Sequence, residues 1–95
     1  MNKDFQQYTE IADLLKALAH PVRICIIRGL MVKGNCNVSY MQGCLNLPQS
    51  TVSQHLQKLK SLGIIKSTRN GLQVNYEIAN QTIVNVINAI FPSEN

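Results

Sequence analysis

With 95 residues and a formal net charge of +4, the chain has room for one domain, whose core is too small to enclose a large substrate pocket as well. It contains no apolar run of the about 18 residues that a membrane helix needs and no basic-then-apolar leader, so a cytoplasmic location is expected. It also lacks a Gly-rich phosphate loop, a metal-bearing His/Glu pattern and a nucleophile paired with a base, which argues against an enzyme.

A first helix is predicted from about Phe5 to Leu18, where Tyr8, Ile11, Leu15 and Leu18 line one face and Leu14 widens it. It ends at His20, because Pro21 disfavours helical geometry in the residue before it. The same proline suits the first turn of a second helix, running to Met31 or Val32. Val22, Ile26 and Leu30 are its inward residues. Gly29 lowers helix propensity by about 1 kcal/mol relative to Ala, which predicts that another helix packs closely there. Lys33-Gly34-Asn35 then ends the helix.

A short third helix, about Val38 to Leu45, turns Met41 and Leu45 inward, and Asn46-Leu47-Pro48 leads into a fourth that starts at Gln49. Two short helices joined by a tight turn form a helix-turn-helix. In the fourth helix Val52, Leu56 and Leu59 make one apolar stripe, while Gln49, Ser50, Ser53, Gln54 and Gln57 fall on the other side. A merely solvated face would more often carry Glu and Lys. Amides and hydroxyls suit the base edges and phosphates of a major groove.

The fourth helix stops at Ser61-Leu62-Gly63. Beyond it, Ile64 to Thr68 and Leu72 to Ile78 flank Arg69-Asn70-Gly71, and Asn-Gly between β-prone runs is a strong hairpin signal. The last helix, about Asn80 to Phe91, carries Ile83, Val84, Val86, Ile87, Ile90 and Phe91, more apolar surface than one face can hold. One side is expected to cover the domain and the other to meet a second copy, together with the first helix. The elements predict a mainly α fold with a two-stranded β-hairpin in the order α-α-α-α-β-β-α. This is a single winged helix-turn-helix domain over residues 1–95.

Charge placement agrees. Asp4, Glu10 and Asp13 precede Leu14, Glu77 and Glu94 follow Tyr76, and no acidic residue lies between. That interval holds Lys16, Arg23, Arg28, Lys33, Lys58, Lys60, Lys66 and Arg69, a field of one sign suited to a polyanion. Double-stranded DNA is therefore the expected partner, and a winged-helix module turned to protein partners is the rival.

Leu15-Lys16-Ala17-Leu18-Ala19-His20-Pro21-Val22-Arg23, the run Leu47 to Leu56 and the hairpin Arg69 to Tyr76 resemble, in that order, three motifs of the ArsR/SmtB family of bacterial winged-helix repressors. The likeness covers nearly the whole chain, and the short C-terminal end and Pro48 are most similar to members that repress virulence genes. The resemblance implies a homodimer built from the first and last helices that binds an inverted-repeat operator and blocks transcription. Gln49, Ser50, Ser53 and Gln54 would then read or position the major groove, with Thr51 a further candidate. Lys58 and Lys60 would lie near phosphates, and Arg69 and Asn70 would reach the minor groove or backbone from the wing tip. His55 is read as a packing and hydrogen-bonding residue, and His20 as a helix-start residue.

Many members of the family release DNA on binding a metal or an oxidant. The family's Cys-x-Cys positions at the third helix correspond here to Asn37 and Ser39, with only Cys36 beside them. A thiolate metal site needs two or three converging sulfurs. The family's other site uses Asp and His on the last helix, where this chain has Asn80, Gln81, Asn85 and Asn88. No metal and no cofactor are expected. Cys25 is read as an ordinary buried residue. Cys36 and Cys44 are the redox candidates of a thiol-sensing alternative, with Cys36 the most exposed. If helical, their Cα atoms lie on the order of 10 Å apart, too far for an unstrained disulfide.

Overall fold

The computed structural model describes residues 2–91, in the order α1 (Asn2–Leu18), α2 (Pro21–Lys33), β1 (Asn35–Asn37), α3 (Val38–Leu45), α4 (Gln49–Ser61), β2 (Ile65–Asn70), β3 (Gln73–Ile78) and α5 (Gln81–Ile90). Glu94 and the side chain of Asp4 lie outside what is described.

Local chemistry sets most of these boundaries. Pro21 opens α2, and Nδ1 of His20 accepts the Val22 amide at 3.2 Å, so His20 is the helix-start residue. Asn37 Oδ1 accepts from the Tyr40 amide at 2.9 Å, and Asn80 Oδ1 from that of Ile83 at 3.2 Å. Each side chain satisfies an amide that the first turn of a helix leaves without a partner. Asn46 closes α3 in the left-handed conformation at φ 56°. Gly63, at φ 73°, turns the chain from α4 toward β2.

The core gathers where the helix-turn-helix backs onto the sheet and α5. Ile27 and Leu30 of α2, Val52, Leu56 and Leu59 of α4, Ile64, Ile65 and Ile87 are all nearly inaccessible. The predicted stripe of α4 is thus wholly buried, and its polar side is left outward. Leu18 and Ala17 anchor α1 to this core, with Leu14 half-buried. The rest of the predicted α1 face is not covered: Phe5, Tyr8, Ile11 and Leu15 are between 46% and 66% exposed, and Ile90 of α5 is 64% exposed.

Three expectations are corrected. The sheet has three strands, not two, in the order β1-β3-β2, and the element order becomes α-α-β-α-α-β-β-α. Strand β1 pairs antiparallel with β3, Cys36 opposite Tyr76 and Asn37 opposite Asn75. Asn-Cys-Asn has no strand periodicity of its own; it is extended because β3 offers it an unpaired edge. In the hairpin, Asn70 pairs with Gln73, so the turn residues are Gly71 and Leu72, and Arg69 and Asn70 end β2. Gly71 takes φ 69°, the left-handed geometry a tight hairpin requires. At Gly29 no neighbouring helix packs closely: a Cβ there would meet nothing within 4 Å.

Candidate nucleic-acid interface

Helix α4 follows α3 after the turn at Asn46, and the buried side chains of α4 fix which residues face outward. At about 100° per residue, Ser50, Gln54 and Gln57 lie opposite the Val52-Leu56-Leu59 stripe, and all three are exposed. Gln49 is exposed at the first turn; Ser53 and Thr51 are half-buried on opposite shoulders of the helix. Gln57, already on the outward side by periodicity, lies on the flank of this face that Ser50 shares, with Gln54 nearest its centre, and belongs with the candidate contacts.

The start of α4 has no side-chain cap, since Pro48 occupies that position. Its first-turn amides, apart from those of Thr51 and Val52, which bond to the Pro48 carbonyl, are open to an external acceptor. An uncapped helix N-terminus favours an anion such as a phosphate. At the other end, Lys58 and Lys60 are exposed in the last turn. Two residues apart on a helix, they point to nearly opposite flanks, so they cannot serve the same stretch of backbone.

The basic interval is divided between internal and free charges. Arg23 donates from Nε to His55 Nδ1 at 3.1 Å, Arg28 lies 3.9 Å from the centre of the Phe91 ring, and Lys33 lies 4.7 Å from that of Tyr40. Lys66 pairs with Glu77 across the hairpin at 3.4 Å. Among the described residues Lys58, Lys60 and Arg69 form no ion pair, and Arg69 and Asn70 are exposed beside the fully exposed Leu72 at the tip of the hairpin. Among the described residues the cations of the interval without an ion pair or ring contact are therefore Lys16 on α1, Lys58 and Lys60 on α4, and Arg69 on the wing.

His55 does not belong to the outward face. It is half-buried, its Nδ1 is occupied by Arg23, and the His20 ring lies against it with centroids 4.5 Å apart. Burial first, then the neighbouring His20 and Arg23, hold its pKa below the ordinary histidine value. The thiols are also arranged differently from expectation: Cys36 is buried, whereas Cys25 and Cys44 are exposed. Burial pushes the Cys36 thiol up, only partly opposed by Lys33, and Cys44 adds to the rise. Among the described residues no group of three or more His, Cys, Asp or Glu is placed to hold a metal ion.

A helix-turn-helix whose second helix shows an uncharged polar face, flanked by a basic hairpin, defines a winged helix-turn-helix protein. The chain belongs to the ArsR family of bacterial regulatory proteins, whose sequence pattern matches residues 20–67. It is 37% identical over 89 residues to the transcriptional repressor PagR of Bacillus anthracis, an alignment covering 94% of this chain and 89% of that protein. The crystal structure of PagR superimposes with a TM-score of 0.83, covering 92% of this chain and 99% of that one. The repressor SmtB of Mycobacterium tuberculosis is 39% identical over 75 residues, 79% of this chain, which spans 55% of SmtB. A solution structure of a homodimeric winged helix-turn-helix DNA-binding domain from Mycobacterium bovis, 26% identical, superimposes with a TM-score of 0.85, covering 95% of this chain and 82% of that one. The relatives are regulators rather than enzymes, and so is this chain.

Proposed function

We propose that this protein is a homodimeric transcriptional repressor that binds an inverted repeat in promoter DNA and uses no metal switch. The observation that carries the reading is the exposed face of α4: Ser50, Gln54 and Gln57 point outward together, with an uncapped helix start at one end and a basic wing at the other. In the bound state Gln54 and Gln57 read base edges, Gln49, Ser50, Ser53 and Thr51 set the helix against the groove walls, and Lys58 and Lys60 meet phosphates on separate flanks. Arg69 and Asn70 hold the flanking backbone or minor groove.

Dimerisation is supported by the bare apolar faces of α1 and α5. Phe5, Tyr8, Ile11, Leu15 and Ile90 are too large a set to leave in water, and a second copy presents the same set. Two-fold symmetry then places the two α4 helices on half-sites one helical turn, or a multiple of it, apart. The absence of a metal switch is supported by Asn37 and Ser39 at the family's thiolate positions and by the amides of α5.

Selection of bound duplexes from random DNA by the reduced, metal-free protein tests the proposal. The expected result is an enriched inverted repeat whose affinity is unchanged by zinc and falls by about 10³–10⁵ between about 50 and 200 mM salt, as neutralising about 6–10 phosphates requires. Absence of enrichment, with weak and salt-insensitive binding, would instead identify a winged-helix module for protein partners.

A further inference from the structure

We propose that the cavity between α2, β1 and α3 is a covalent receptor site, in which Cys44 captures an apolar electrophile whose reactive carbon is activated by a carbonyl, as in a quinone or an enal. The cavity measures about 950 Å3, at the upper end of the range that takes small molecules. All three cysteines of the chain line it, one from each element: Cys25 from α2, Cys36 from β1 and Cys44 from α3. Ile24, Met41 and Phe91 supply apolar wall, and Arg28 and Lys33 supply positive charge. Gly29 lies on the wall with nothing within 4 Å of its missing side chain, so it leaves space rather than admitting a packed neighbour.

The combination of groups selects the ligand class. The three thiols do not form a three-ligand metal site, and Cys36 is buried with its thiol pushed up, which disfavours the thiolate that a soft metal ion needs. A small polar oxidant gains nothing from an apolar wall. A carbonyl-activated electrophile uses every part: its hydrocarbon body fills the cavity, its oxygen meets a cation, and its electrophilic carbon meets sulfur.

Cys44 is the thiol placed to react. It is exposed, whereas Cys36 is buried and held mostly as the unreactive thiol. Tyr40, one turn before Cys44 on α3, lines the cavity beside it, and its phenol is raised above its ordinary value, first by its interaction with Cys44. Lys33 lies over the same ring, 4.7 Å from its centre. Cys25 is exposed too, on α2 one turn before Arg28, whose guanidinium lies over the Phe91 ring.

The reaction is an addition and needs no oxidant. The Cys44 thiolate forms a carbon–sulfur bond to the electrophilic carbon, and the π pair of the C=C bond moves toward the carbonyl oxygen, where Lys33 or Arg28 meets the charge. The proton lost by the thiol ends on the α-carbon of an enal or on the ring oxygen of a quinone. Nothing leaves. The adduct sits in the last turn of α3, one helix before α4 and against the strand that pairs with the wing, so it disturbs the DNA-reading elements together.

Release of DNA on capture rests on the repressor reading above; capture itself does not. The test is to titrate the reduced full-length protein with methyl-p-benzoquinone, map adducts by intact and peptide mass, and compare rates with iodoacetamide, which reports accessibility alone. Expected is a single adduct at Cys44, formed in preference to Cys25 by about tenfold more than with iodoacetamide, because both thiols line the cavity and only the orientation of the bound electrophile, its oxygen toward Lys33, favours one of them; tenfold is equivalent to about 1.4 kcal/mol. Gly29→Leu, which puts an isobutyl group into the cavity from its wall and favours the helix, should reduce that preference while leaving the iodoacetamide rate of Cys44 unchanged; circular dichroism checks that it folds.

Equal preference with both reagents, indifference to Gly29→Leu, or loss of two hydrogens by a Cys36–Cys44 disulfide in place of an adduct would overturn the proposal. So would failure to form any adduct because a second copy covers the cavity. Failure of capture with operator binding intact sinks this inference alone. Capture by a protein that selects no DNA sequence sinks the repressor reading and leaves the receptor site standing.

Discussion

Arg23 and His55 join the start of α2 to the middle of α4 through a 3.1 Å hydrogen bond between residues 32 positions apart in the chain. Arg23 keeps its charge while donating to a neutral imidazole nitrogen, and the His20 ring closes the other side of His55. Such a bond stabilises by about 1–2 kcal/mol once its partial exposure is allowed for. Arg23→Ala should therefore lower the melting temperature by about 4–15 °C for a domain of this size, at fixed protein concentration because a dimer's stability depends on it. A melting temperature unchanged in calorimetry would show that the contact contributes nothing.

The same cluster predicts acid sensitivity. Because burial, His20 and Arg23 lower the pKa of His55, the unfolded chain takes up this proton more readily than the folded one. Its stabilising contribution is complete above the ordinary histidine value of about 6.5 and is lost as pH falls below it. The urea midpoint should drop between about pH 7.5 and 5.5, and the drop should be smaller in His55→Gln, which retains an acceptor for Arg23 but does not titrate. An equal drop in both proteins would place the sensitivity elsewhere.

Adjacent residues of α4 should separate stability from binding. Leu56 is 1% exposed, and Leu56→Ala should cost about 2–5 kcal/mol in urea unfolding. Gln57→Ala, on the outward face, should stay within about 0.5 kcal/mol in stability and weaken operator binding. A Gln57→Ala protein that binds its operator normally would remove Gln57 from the interface.

Gln54→Ala should relax sequence preference. Arg69→Ala should weaken all duplexes about equally and reduce the salt slope by about one. Competition between operator and random duplex over a salt series distinguishes the two; identical behaviour would refute the proposed division between helix and wing.

Leu15→Glu places a charge among Phe5, Tyr8 and Ile11 on the bare face of α1. Sedimentation should find a monomer with native helix content. A dimer of unchanged affinity would move the interface away from α1.

The helices were legible because each carries its own signal. Pro21 marks the start of α2, Val38 to Leu45 coincide with α3, and the spacing of Val52, Leu56 and Leu59 fixes the buried side of α4. The outward residues of the candidate site follow from that spacing. What the sequence concealed depends on partners far along the chain. Asn35-Cys36-Asn37 is a strand only because β3 has a free edge, and that pairing buries Cys36, the thiol expected to be most exposed. Cys25 is exposed because the α2 side on which it lies borders a cavity rather than a helix. The bond from Arg23 to His55 likewise required the fold, since neither residue's local sequence names the other.

Asn37 is the last residue of β1, the partner of Asn75 in the wing strand and the cap of α3. No residue intervenes between β1 and α3 to act as a hinge at that junction. The two parts proposed to touch DNA therefore behave as one gauge of fixed length. An operator with a base pair inserted between the groove read by α4 and the backbone held by Arg69 offers the two contacts at a separation and helical phase this gauge cannot match, and must give up one of them.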